Sequence, residues 1–237
     1  MIVSVLLLKF VVTKMPMVKA AKPCLGCVYD IGVIDVGSPK LGRLGWCIGS
    51  AEGDVQHEGV DLDRLIPHIA THLTRRGLIL GLEAPLFVPV RTDVLALTKG
   101  RLGEGRRPWS AGAGAQVLAL NLPIMIYLLQ AIKRAFPTVR LCIDAKTFGA
   151  QAGELLLFEA LVSGADKGDS HVADARIMLQ ACLPYAQSQC LPVSILQDEP
   201  AVMYCNLAAM AALHSGLIHD VSLLHCVSPI YQPSAMV

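Results

Sequence analysis

Charge is what this sequence has least of. Asp, Glu, Lys and Arg make up 16% of its 237 residues, against roughly a quarter of an average globular chain. With 54% hydrophobic residues, disorder is excluded and a substantial core is affordable within one domain. So little charge implies elements covered on both faces, as in α/β layers; a sticky homodimer interface is the competing explanation. The net charge of +1 supplies no overall electrostatic footprint for nucleic acid, although a local patch still can.

Other absences narrow the reading further. The apolar run at residues 1–8 is broken by Lys9, far short of the roughly 20 residues of a membrane span. Positive charge follows that run instead of preceding it, against the order of a signal peptide. The expectation is a cytoplasmic protein without a membrane partner, whose natural start is Met15 or Met17. Eight cysteines lie mostly in apolar segments and read as buried thiols of a reducing compartment. Cys24 and Cys27 form the one CxxC, and no second CxxC follows to complete a four-cysteine zinc site. There is no Walker GKS or GKT, and the Ala-Gly alternation at 111–115 lacks the strand-turn context of a dinucleotide loop. No internal repeat or low-complexity segment is present.

What is present reads as alternating strands and helices. Residues 28–36, 45–50 and 55–60 are short apolar runs divided by Gly, Pro or Asp, predicting a three-stranded meander. Leu62, Leu65, Ile66, Ile69 and Leu73 recur at helical spacing until Gly77, and a fourth strand follows at 78–83. A loop over 84–109 precedes a helix from Ser110 to about Phe136, kinked at Pro123. A fifth strand is expected at 139–144, a helix at 151–162 ending at Gly164, and a helix at 171–183 capped by Ser170. Pro200 opens a last apolar helix ending at Gly216. Before that last helix the element order is βββαβαβαα, and the chain divides into an N-terminal extension over 1–27, a principal domain over 28–195 and a helical addition over 196–237 packed on it.

Three acids stand in apolar surroundings: Asp35 closes VYDIGVID, Glu83 ends LILGLE, and Asp174 lies in HVADA. A carboxylate buried alone is costly and normally has a cation or charged partner. If strands one, four and five run parallel, their carboxyl ends share one sheet edge, where open α/β folds collect ligands. Asp35 and Glu83 are then neighbours, Asp144 points to the same edge, and the helix from His171 brings Asp174 and His171, which share a face. Converging carboxylates suit hard cations, Mg2+ or Mn2+, and two such ions about 4 Å apart suit phosphodiester hydrolysis. Read alone, Asp144 fits a structural role better, and Glu159, Asp166 and Asp169 fit surface or turn positions. The segment 91–107 carries Arg91, Lys99, Arg101, Arg106 and Arg107 against Asp93 and Glu104, a local charge of +3. Arg106, Arg107 and Trp109 combine guanidinium groups with an aromatic plane, which suits phosphate contact and base stacking; a solvated loop with Trp109 in the core explains them equally well.

IDVGSPK at 34–40 with Gly45-Trp46, then EAPL at 83–86, then HVADA at 171–175 together resemble the RNase H-like superfamily, especially RuvC-type resolvases and predicted RNase H-fold nucleases. The resemblance covers roughly residues 28–185. It implies a three-layer α/β fold with a mixed five-stranded sheet of order 3-2-1-4-5, strand 2 antiparallel, and helices on both faces. It implies a metal-dependent nuclease in which Asp35 bridges two Mg2+ or Mn2+ ions, Glu83 and Asp174 each hold one, and His171 is a ligand or proton handler. Lys40, Arg106, Arg107 and Trp109 would hold nucleic acid; Asp144 has no counterpart. Two rivals stand beside this reading. One is an inactive scaffold of the same fold that binds nucleic acid or protein. The other is a phosphate-binding relative of actin-like ATPases, whose first motif resembles DVGSPK but whose two-domain architecture needs a longer chain.

Overall fold

A computed structural model describes residues 26–53, 55–105, 108–162, 166–199 and 202–236. The first strand, β1 (Asp30–Asp35), is buried along its whole length. β2 (Gly45–Gly49) and β3 (Val55–Gly59) follow as an antiparallel meander. After α1 (Leu62–Leu73), capped by the Asp61 carboxylate, β4 (Leu78–Leu82) lies parallel to β1. Beyond β4 come β5 (Phe87–Val90), α2 (Ala113–Ala135), β6 (Arg140–Cys142), β7 (Glu154–Ala160) and α3 (His171–Gln187). The chain continues as β8 (Met203–Asn206), α4 (Leu207–His214) and β9 (Ile230–Tyr231). The main sheet runs β3-β2-β1-β4-β7-β6, with β9 also paired to β7, and β5 and β8 make a separate two-stranded ribbon.

Side-chain alternation divides the apolar residues between two faces of this sheet. Ile31 and Val33 of β1, Ile79 of β4, and Leu156 and Phe158 of β7 pack with Ala175, Met178, Leu179 and Cys182 of α3. On the other face Ile34, Leu80, Leu82 and Leu157 pack with residues of α1, α2 and α4. The molecule is therefore a three-layer α/β structure with a mixed sheet. By length and apolarity alone α2 could cross a membrane; here Met125, Leu128, Leu129 and Ile132 are spent on the core.

Several expectations are corrected. The segment at 151–162 is not a helix but β7, and it lies beside β4 in the place expected for the 139–144 strand. That segment supplies β6, three residues long and one strand further out. The expected order 3-2-1-4-5 thus becomes 3-2-1-4-7-6. A strand covered on both faces is apolar at consecutive positions, and Leu155-Leu-Leu-Phe158 cannot be told from a buried helix by periodicity. α2 starts at Ala113 instead of Ser110, whose hydroxyl donates to the Thr98 carbonyl. The loop over 84–109 contains β5, and the C-terminal addition is not purely helical: Asn206, not Pro200, caps α4 through a bond from the Ala209 amide. Pro200 lies outside the described residues, as do Gly164, Cys24 and the proposed starts at Met15 and Met17. The described cysteines are free thiols, and Cys47, Cys142, Cys182 and Cys190 are buried.

α3 sits unusually close to the sheet at Gly45. A Cβ there would lie 2.3 Å from both the His171 carbonyl carbon and the Val172 amide nitrogen, closer than nonbonded atoms allow. Gly45 is also the register partner of Asp35. Gly45→Ala is expected to push the start of α3 off β2 and lower stability by about 1–3 kcal/mol, the usual overpacking range. Urea denaturation checks this, and an unchanged midpoint would show that α3 can shift freely.

Candidate metal centre

The alternation that builds the core also aims the acids. Asp35 continues the Ile31, Val33 face of β1, and Glu83 continues the Ile79 face of β4 one residue past the strand end, its amide still donating to the Ile34 carbonyl at 2.8 Å. Both side chains therefore point into the layer occupied by α3. The Ser170 hydroxyl caps α3 by accepting from the Ala173 amide, which fixes the first turn and with it His171 and Asp174.

Asp35, Glu83 and Asp174 each place a carboxylate oxygen within 4.8 Å of the others. Asp35 and Asp174 are 3% and 4% exposed, deep enough that their charges need compensation. His171 Nδ1 lies 2.5 Å from Asp35 Oδ2. Asp174 accepts from the Gly168 amide at 2.6 Å and from Lys167 Nζ at 2.8 Å. The same ammonium donates to Glu83 Oε1 at 3.2 Å. Glu83 Oε2 is buried with no hydrogen-bond partner.

This arrangement is electrostatically incomplete. Burial, and then the neighbouring Asp35 charge, push the Glu83 carboxyl up to about 9. Burial opposes a charge on Lys167, but its bond to Asp174 and the nearby Glu83 and Asp35 outweigh it and raise its pKa. Lys167 meets Glu83 and Asp174 and His171 meets Asp35, while Glu83 Oε2 is left without a hydrogen-bond partner. Oxygen donors alone, converging and charge-rich, fit hard divalent cations and disfavour zinc.

The predicted site residues divide in four ways. Asp35, Glu83, Asp174 and His171 come together, and Trp109 lines the same cavity as Asp35, Glu83 and His171. Lys40 lies on the exposed Pro39–Leu41 turn and is not in that lining. Asp144 is not in the acidic cluster either; its carboxylate caps the Ala145–Thr147 turn through the Lys146 amide. Arg106 and Arg107 lie outside the described residues.

Two features escape the sequence reading. Lys167 carried no signal beyond a position seven residues before Asp174. Glu159 was expected at the surface, yet it is 2% exposed and bonded to Arg101, itself buried against Glu104. Glu159 shows the mark that singled out Asp35, an acid in an apolar run, and the helical reading of β7 hid it. The basic loop is correspondingly less basic: Arg101 is internal, and Arg91 is tied to Glu199 and to the Ala96, Lys99 and Gly100 carbonyls.

No family model matches the chain, and no curated protein and no solved structure matches it either.

Proposed function

We propose that the chain is an RNase H-like, metal-dependent nuclease that hydrolyses nucleic-acid phosphodiesters at Asp35, Glu83 and Asp174. The observation that carries this reading is the convergence of three carboxylates from β1, β4 and α3 within 4.8 Å, one of them with an unpartnered buried oxygen. The meander β1-β2-β3, the parallel β4 and β7, and α3 across the sheet support the fold assignment, with β7 in the role of the fifth strand and β6 as an addition beyond it.

In this reading Asp35, Glu83 and Asp174 would together hold two Mg2+ or Mn2+ ions. Such a pair supplies charge stabilisation at the phosphoryl group and lowers the pKa of an attacking water. His171, held by Asp35, is placed to exchange a proton with solvent or a leaving oxygen. Lys167, which bonds Glu83 and Asp174 in the metal-free site, would be available to a substrate phosphate when those carboxylates hold metal.

The Lys167 ammonium also favours a second reading. It already bridges Glu83 and Asp174, as expected of a scaffold that has replaced its metal with an internal cation. Titration with Mn2+, followed by electron paramagnetic resonance of the free ion, separates the two. The nuclease reading expects about two ions per chain, binding lost in Asp174→Asn, and EDTA-sensitive hydrolysis of nucleic acid. No binding by the parent protein would leave the scaffold.

A further inference from the structure

The acidic cluster opens into a chamber, and the chamber limits what can reach it. Asp35, Glu83, Lys167 and His171 form the polar wall of a cavity of about 510 Å3. Cavities that enclose most of a small ligand run to roughly 300–1,000 Å3, so this one has room for a single nucleotide unit.

The same lining offers a surface for a base. Trp109 lines it beside Pro108, with the indole Nε1 donating to the Lys99 carbonyl at 3.3 Å, which ties the ring to the loop. The lining near α2 is small, with Ala111, Gly112, Ala113 and Gly114 beside Val117, which gives a flat ligand room next to the indole. A base stacked on such a platform gains about 1–3 kcal/mol without regard to sequence. Glu104 and Glu159 also line the chamber, and both accept hydrogen bonds from the buried Arg101 guanidinium.

We infer that the site takes one nucleotide unit at a time: the terminal base enters the chamber against Trp109 and its phosphodiester lies at Asp35, Glu83 and Asp174. This rests on the metal-dependent nuclease reading and adds the class of substrate, a strand terminus or dinucleotide. Water adds across one P–O bond, giving a phosphate monoester and an alcohol, and no redox partner is required.

Dinucleotides, 12-residue single strands and covalently closed single-stranded circles, each carrying 2-aminopurine, are to be compared in the presence of Ca2+ for binding and Mn2+ for hydrolysis. The expected result is dinucleotide affinity within about tenfold of the 12-mer, because one unit makes most of the contacts. Trp109→Ala and Ala113→Phe, which remove the platform and fill the chamber, should each weaken dinucleotide binding about tenfold or more while Mn2+ binding stays unchanged. Circles should resist hydrolysis, and whether 12-mers or only dinucleotides are cut identifies the natural source of the unit. Intact Mn2+ binding with affinity rising more than about a hundredfold from dinucleotide to 12-mer, or circles cut as fast as linear strands, overturns the inference alone. Absent Mn2+ binding removes the parent reading and this one with it.

Discussion

Asp35→Asn is expected to lower Mn2+-dependent hydrolysis about a thousandfold, roughly 4 kcal/mol of lost transition-state stabilisation, with little change in folding. Asp35 lies on a strand hydrogen-bonded on both sides, to β2 and β4, and its carboxylate meets both Glu83 and the His171 ring. Asparagine keeps the shape but removes the charge that would be shared between two ions, and it weakens the grip on His171. A variant that kept both full Mn2+ affinity and full activity would show that Asp35 is only a strand-end acid.

Glu83→Gln tests the same centre from the opposite side. The Glu83 carboxyl is raised from an ordinary value near 4.5 to about 9, so the metal-free folded state holds a proton that the unfolded chain has released. Between these values the folded state binds more protons, and stability falls as pH rises. At pH 7 the disadvantage is on the order of 3 kcal/mol. Glutamine removes it: the metal-free variant should be more stable than the parent, by an amount that grows from pH 5 to pH 9 and vanishes in acid. Mn2+ should stabilise the parent and not the variant. Chemical denaturation at several pH values, with and without Mn2+, reads both effects, and a pH-independent difference would mean that Glu83 is already ionised and satisfied.

These acids were legible in the sequence because their signal is chemical: a carboxylate in an apolar run needs a partner wherever it folds. The meander, α1, β4 and the Ser170 cap of α3 were legible because turn and cap residues bracket them. β7 was not, since burial on both faces erases the alternation that distinguishes a strand, and Gly153, with φ +85°, marks a turn before the segment without stating its type. The same loss of alternation hides the place of the outer strands and the burial of Glu159. Lys167 was illegible for another reason: its loop has no periodicity, and a surface lysine and a bridging one look alike until the sheet edge is assembled.

Arg101→Met should be the most destabilising substitution outside the core, by about 3–5 kcal/mol, the range for breaking a buried ion pair from one side. The guanidinium is fully buried, donates to Glu159 through both terminal nitrogens and to Glu104 through one, and stacks over the Phe87 ring at 4.5 Å. Methionine fills much of the volume but leaves two buried carboxylates without a cation. For a chain of this length the loss is a fall in Tm of about 10 °C. The combined variant Arg101→Met, Glu104→Gln, Glu159→Gln should recover much of it, because a buried neutral set can match a buried charged one. If Arg101→Met alone melts within about a degree of the parent, the carboxylates have reached water and the network is ornamental. The same variant separates chamber from metal centre: Arg101 joins the loop after β5 to β7 but touches none of Asp35, Glu83 or Asp174, so Mn2+ binding should survive at temperatures where the fold holds while nucleotide binding beside Trp109 weakens. That division of labour follows from the sheet itself, since Phe158 and Glu159 are adjacent in β7 and must face opposite layers, one packing under α3 and the other anchoring the loop that walls the chamber.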